Sequence, residues 1–141
     1  MRFIRKHLKI MVSELNIKDY TDSFYIMNSS ACNKIFDLNF IRKLNLKFEV
    51  GLPAEDAIFT TYCFIKSEKV YYIPYVMYVY RQRNAGTSIS MNCTAKYFYG
   101  ISKAYKKIYE NFNENNELGF YRFFYAKSMT YMLYKFIDSQ L

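Results

Sequence analysis

The sequence predicts a mixed α/β fold, and its composition and patterning support this prediction. Hydrophobic residues make up 52% of the 141-residue chain, which is enough to build a core and argues against disorder. Helical spacing of apolar residues runs through the C-terminal third, whereas residues 70–80 are rich in β-branched and aromatic side chains. The chain is therefore expected to end in two long helices, preceded by shorter helices and strands.

The first elements are predicted from short apolar patterns. Residues 2–15 carry apolar side chains at spacings typical of one helix face, namely Ile4, Leu8, Met11 and Leu15. A polar stretch follows, and residues 24–27 then form a short apolar run compatible with a buried strand. Residues 32–36 form another short element of this kind.

Two shorter helices are predicted in the middle of the chain. Asp37 is placed to cap a helix over residues 38–44, and Asn45 stands near its end. After a loop, Pro53 occupies a position that proline favours at the start of a helix. That second helix continues to about Ser67.

The remaining elements are two strands and two long helices. Residues 70–80 predict two short strands that meet at Pro74, and a polar loop follows them. The first long helix presents an apolar face made of Ala95, Phe98, Ile101, Tyr105, Ile108 and Phe112. Residues 113–116 break it. The second long helix presents Phe120, Phe123, Phe124, Met132, Leu133, Phe136 and Ile137.

Charge and cysteine content narrow the function classes. The formal net charge is +8, spread along the chain, which suits an anionic partner such as a sugar nucleotide, an acidic membrane surface or nucleic acid. A basic soluble protein without such a partner would have the same composition. The three cysteines are widely spaced, so they predict neither a disulfide framework nor a zinc site. They are typical of core cysteines in a reducing compartment.

Three segments, in this order, resemble the second half of family 2 glycosyltransferases. Residues 31–48 read ACNKIFDLNFIRKLNLKF and are similar to a passage with an asparagine-lysine pair, a helix and a basic-asparagine turn. Residues 49–74 resemble the start of a helix marked by a glutamate-aspartate pair and followed by an apolar strand. Residues 78–90 read YVYRQRNAGTSIS and resemble a tyrosine-arginine loop that ends in a serine-rich turn.

The resemblance implies the C-terminal part of an inverting transferase of the GT-A fold. Residues 1–92 would form the acceptor-side part of the domain, and residues 93–141 a helical extension packed on it. The family holds its nucleotide sugar and a divalent metal, Mg or Mn, in an N-terminal half that carries an Asp-x-Asp motif. This chain has no such motif, because Asp19 and Asp22 are three residues apart. We therefore expect a truncated enzyme that is inactive alone and has no metal ligands of its own.

The pair Glu55-Asp56 is the candidate catalytic site. By itself, an acidic pair after a proline is an ordinary helix stabiliser, worth about 0.3–1 kcal/mol against the helix dipole. The resemblance implies that Asp56 is the general base, which takes a proton from the acceptor hydroxyl as its oxygen attacks the anomeric carbon. Such proton removal contributes about 10²–10⁴-fold. Glu55 would bind acceptor hydroxyls or hold Asp56 in place.

The loop after the predicted strands carries the candidate diphosphate or acceptor site. Arg81 and Arg83 point the same way if this segment is extended, and two guanidinium groups suit a leaving diphosphate. Two solvated surface arginines are the alternative. Ser88 and Ser90 would either donate hydrogen bonds to phosphate or, as the sequence favours, cap the following helix.

The expected partners follow from the resemblance. A complete enzyme would use a nucleotide sugar and a glycan or lipid-linked acceptor, in the cytoplasm or at the inner face of the cell membrane. The aromatic and basic C-terminal helices suit docking on a membrane, although a helical cap over a sheet edge explains them better. An unpaired sheet edge would promote self-association. A non-catalytic glycan-binding remnant stays an alternative, and a nucleic-acid binder is a weaker one without a recognised motif.

Overall fold

A computed structural model describes residues 13–15, 28–81 and 93–138, which form four helices and one antiparallel pair of short strands. The strands are β1, Ser13–Leu15, and β2, Val70–Tyr72, with Glu14 opposite Tyr71. The helices are α1, Leu38–Leu44, α2, Glu55–Lys66, α3, Ala95–Glu114, and α4, Leu118–Asp138. The mixed α and β class is confirmed in this coarse sense, and the chain ends in two long helices as predicted.

Local signals set the ends of α1 where the sequence predicts them. Asp37 Oδ1 accepts a hydrogen bond from the backbone N–H of Phe40 at 2.9 Å, which satisfies a donor left free at the helix start. At the other end, Asn45 adopts a left-handed conformation with φ 48°. Its backbone N–H donates to the carbonyl of Arg42 and closes the last turn.

Helix α2 begins two residues later than Pro53 predicts. Ala54 adopts a left-handed conformation with φ 60° and precedes the helix without a side-chain cap, so Pro53 lies in the turn before it. The helix ends at Lys66, next to the predicted Ser67. The Ser67 hydroxyl donates to the carbonyl of Cys63 at 2.6 Å and supports this end.

Helices α2, α3 and α4 share one hydrophobic core. Its buried members are Ala57, Ile58, Phe64, Ala104, Ile108, Phe112, Phe120 and Phe124. The ring of Phe120 lies 5.0 Å from that of Phe64 and 5.5 Å from that of Phe112, between centroids. Full burial of one such side chain contributes about 1.5–3 kcal/mol. This core therefore joins residues 28–81 to the two C-terminal helices.

Gly100 allows α3 to approach the turn that precedes α2. A Cβ atom at Gly100 would lie 2.7 Å from both Cγ and Cδ of Pro53, which is closer than real contacts of this kind. On the same side, Lys107 Nζ forms an ion pair with Glu49 Oε1 at 2.6 Å. These contacts fix the first turn of α2 against α3.

One helix prediction and one strand prediction are wrong. Ser13–Leu15 is a strand and not the end of a helix, because it pairs with β2 from far along the chain. The rest of the predicted helix 2–15 and the run 24–27 lie outside the described residues. The two strands predicted over residues 70–80 reduce to β2, because residues 73–80 have no strand partner within the described part of the chain.

The predicted buried face of α4 is wrong in part. Phe120, Phe124 and Met132 are buried, but four other residues predicted for that face are exposed, namely Phe123, Leu133, Phe136 and Ile137. Helix α4 carries apolar side chains on nearly every side, so their spacing does not identify the face that meets the core. None of the helices in the described ranges is long and apolar enough to cross a membrane.

Candidate functional site

The N-terminal half of α2 is tied to the loop of residues 28–36. Thr60 Oγ1 donates to the carbonyl of Ser29 at 2.9 Å. The Asp56 carboxylate lies close enough to the backbone N–H groups of Ala31, Ala57 and Asp56 itself for these groups to lower its pKa. The carboxylate is thus anchored at the N-terminal end of a helix, where the helix dipole favours negative charge.

The two carboxylates of the pair differ in environment, since Asp56 is half-buried and Glu55 is exposed. Desolvation by burial raises the pKa of Asp56, and the negative charge of Glu55 raises it further. The backbone N–H groups oppose both effects, but the pKa remains above its ordinary value. Asp56 is therefore a stronger base than an exposed aspartate. A carboxylate has about four acceptor positions, so the half-buried Asp56 can accept a hydrogen bond from a ligand hydroxyl.

Lys34 organises the loop that Asp56 contacts. Its ammonium group donates to the carbonyl of Ser30 at 2.6 Å and to Asn33 Oδ1 at 2.8 Å, and also to the carbonyl of Asn28. Burial lowers the pKa of Lys34 to about 8, while the charge of Asp56 opposes this effect. The positive charge of Lys127, on α4, lowers the pKa further. Residues from the loop, α2 and α4 thus share one electrostatic environment.

Tyr97, in the first turn of α3, belongs to the same environment. Burial raises the pKa of Tyr97 to about 12, and the charges of Tyr131 and Asp56 are among the further contributions. The hydroxyl is therefore neutral at neutral pH and can donate a hydrogen bond. The backbone N–H of Tyr97 donates to Thr94 Oγ1 at 3.2 Å, so Thr94 caps α3. The prediction that Ser88 or Ser90 caps this helix is wrong.

The predicted arginine loop is only partly described. Arg81 is exposed and ends a stretch without helix or strand, residues 73–81. Within it, a hydrogen bond with Cys32 raises the pKa of Tyr78, so this stretch lies beside the loop of residues 28–36. Arg83 and Ser88 lie outside the described residues. Asp56 and Glu55 are thus neighbours on α2, whereas no described contact joins Arg81 to them.

Sequence reasoning missed Tyr97 and Lys127 as neighbours of Asp56. Tyr97 is one of 16 tyrosines, and neither its type nor its spacing distinguishes it from the others. Lys127 lies on α4, whose orientation depends on contacts with α3. For both residues the relevant signal is tertiary, and no local pattern reveals it.

Residues 13–15, 28–81 and 93–138 contain no group of three histidine, cysteine, aspartate or glutamate side chains able to hold a metal ion. The divalent metal that the resemblance implies therefore does not fit these residues, and we assign it no ligand here. No protein-family model, curated protein or solved structure matches the chain. Function must be inferred from the residues and their geometry.

Proposed function

We propose that this chain is the acceptor-side part of a family 2 glycosyltransferase of the GT-A fold, with Asp56 as its general base. The observation that carries the proposal is the half-buried Asp56 carboxylate at the start of α2, whose pKa is raised by burial and by the charge of Glu55. The three sequence segments around it, in the order typical of that family, support the same reading.

In this mechanism an acceptor alcohol first donates a hydrogen bond to the Asp56 carboxylate. As the alcohol oxygen attacks the anomeric carbon, the proton moves to the carboxylate and the nucleoside diphosphate leaves from the opposite face, which inverts the configuration. A raised pKa brings the base closer to the operating pH, where proton removal is most effective. Glu55, exposed beside it, would bind further acceptor hydroxyls.

The donor side of the reaction would need residues beyond this pair. Arg81, and by sequence Arg83 and Ser88, would meet the diphosphate of the donor. The nucleotide sugar and its metal would be held by a donor-binding part whose motif this sequence lacks. Because the proposed donor is a nucleotide sugar, we expect the reaction to occur in the cytoplasm. If the acceptor is lipid-linked, the reaction would take place at the inner face of the cell membrane.

Glycan binding tests the acceptor site directly. We expect the purified chain to bind a subset of bacterial glycans on an array, and Asp56→Ala to weaken that binding at least about tenfold, because a hydrogen bond to a charged group is worth about 1.5–3 kcal/mol. Glu68→Ala removes an exposed carboxylate beyond the end of α2 and serves as the control. Equal binding by Asp56→Ala and the unchanged chain would contradict the proposed site.

A non-catalytic glycan-binding module is the second candidate, favoured by the absence of an Asp-x-Asp motif from the sequence. Donor turnover separates the possibilities. We expect no release of nucleoside diphosphate from sugar nucleotides, because the chain has no donor-binding motif. Release that disappears in Asp56→Asn would contradict the hypothesis that the chain is truncated, but would support Asp56 as the general base. Release that is unchanged in Asp56→Asn would overturn both parts of the proposal.

A further inference from the structure

Helices α3 and α4 enclose a groove of about 580 Å³, called here the α3–α4 groove. Its lining is mainly apolar and aromatic and includes Phe98, Ile101, Tyr105, Tyr125, Met132 and Phe136. On each helix the lining residues recur every three or four positions, so the groove follows the helix axes. Its α3 side extends from Phe98 to Tyr109, a rise of about 16 Å.

The outer rim of this groove is exposed and apolar. Leu133 and Phe136 belong to the lining but are 61% and 46% exposed, and the neighbouring Ile137 is 73% exposed. A helix that is apolar on nearly all sides is normally buried, and contiguous exposed apolar surface marks an interaction site. The groove therefore lacks a cover among the described residues.

Basic side chains accompany the groove. Lys106 belongs to the lining, and Arg122 is exposed on α4 one helical turn before the lining residue Tyr125, which places it near that end of the groove. Glu110 pairs with Lys106 at 3.9 Å, but both side chains are exposed, so the pair is worth at most about 1 kcal/mol. Residues 94–138 contain seven lysines and arginines against four carboxylates. The occupant should therefore be apolar and carry negative charge.

These features favour a lipid surface over a second copy of the chain. In a two-fold dimer both copies of this surface carry the same net positive charge, so neither neutralises the other. A bilayer with anionic headgroups instead offers hydrocarbon to the groove and negative charge to its rim. Basic residues beside exposed tyrosines and aliphatic side chains are typical of helices that lie in a membrane interface.

We propose that the α3–α4 groove docks this chain on an anionic bilayer by taking up a lipid hydrocarbon chain, with Lys106 and Arg122 at the headgroups. The helices would lie on the membrane, since none of those in the described ranges could cross it. Asp56 does not line the groove, so lipid binding and the proposed glycan binding can fail independently. The proposal extends the proposed membrane-proximal location without depending on transferase activity.

A single introduced tryptophan tests the docking site, because the chain has none of its own. Leu133→Trp reports on the groove, and Val50→Trp, at a 97% exposed loop position, is the control. With vesicles of equimolar phosphatidylglycerol and phosphatidylcholine, the emission of Leu133→Trp should shift to shorter wavelength and be quenched by brominated acyl chains. The emission of Val50→Trp should not change.

Co-sedimentation with the same vesicles measures the contributions of charge and apolar surface. Arg122→Gln and Lys106→Gln should each lower the partition coefficient about fivefold, and Phe136→Gln about tenfold. Lys43→Gln, exposed on α1, should have a smaller effect. Equal binding to pure phosphatidylcholine would overturn the proposal. Equal quenching of Leu133→Trp and Val50→Trp would also overturn it. A dimer that forms without vesicles and that Leu133→Trp dissociates would overturn it as well.

Discussion

Helices α2 and α4 are both rich in apolar residues, but they occupy opposite environments. Seven of the 12 residues of α2 are buried, against three of the 21 residues of α4. Helix α2 is enclosed from several sides, and its Phe59 ring stacks on Phe48 at 4.1 Å and meets Phe36 edge-on at 5.3 Å. Apolar content alone therefore does not identify the structural centre, whereas enclosure by α3 and two loops does.

The largest expected effect compares two isoleucines. Ile58 on α2 is 6% exposed and Ile137 on α4 is 73% exposed. Ile58→Ala should lower the free energy of unfolding by about 2–5 kcal/mol, because it leaves a cavity in the core. Ile137→Ala should change it by no more than about 0.5 kcal/mol. Urea denaturation measures both, and similar losses would show that the two helices are equally enclosed.

A smaller effect is expected at the contact between α3 and the turn before α2. Gly100→Ala introduces a Cβ that meets the Pro53 ring at 2.7 Å. The resulting strain costs about 1–3 kcal/mol, which exceeds the gain of about 1 kcal/mol from replacing a helical glycine. The melting temperature should fall. A rise, as for an unobstructed helical glycine, would show that the turn can move and that α2 is less tightly enclosed.

The smallest effect concerns the loop that joins α2 to α4 electrostatically. The pKa of Lys34 is lowered from 10.5 to about 8, so between these pH values the unfolded state binds more protons than the folded state. The Lys34 contribution to stability must therefore rise with pH across this window. Urea denaturation midpoints measured at pH 8 and pH 10.5 should rise less in Lys34→Met than in the unchanged chain. Tyrosine titrations contribute equally to both proteins, so the difference between them reports on Lys34. An identical pH dependence would contradict the burial of Lys34.

Elements whose ends depend on neighbouring residues could be predicted from the sequence. Asp37 and Asn45 define α1 through their own backbone and side-chain bonds. The break predicted at residues 113–116 lies at residues 115–117, between α3 and α4. Strand β1 could not be predicted, because its extended form depends on Val70–Tyr72. The buried face of α4 was ambiguous for another reason, since every side of that helix offers apolar residues.

The candidate site shows the same division between local and tertiary information. The position of Asp56 in the first helical turn follows from nearby residues and was predicted. Its half-burial, and the part of its raised pKa that burial causes, depend on packing around the turn, which no pattern in the sequence reveals. Lys127 and Tyr97 reach this environment from separate helices, so only the assembled core brings them into range.

The stretch of residues 75–80 imposes a constraint on how the chain is produced. It reads YVMYVY, without charge, proline or glycine, and Val76 and Val79 are almost fully exposed. Six uncharged β-forming residues are long enough to stack with copies of themselves into cross-β fibres. Stacking between copies becomes more frequent as the protein concentration rises, so we expect overproduction to promote fibres and slower synthesis to reduce them.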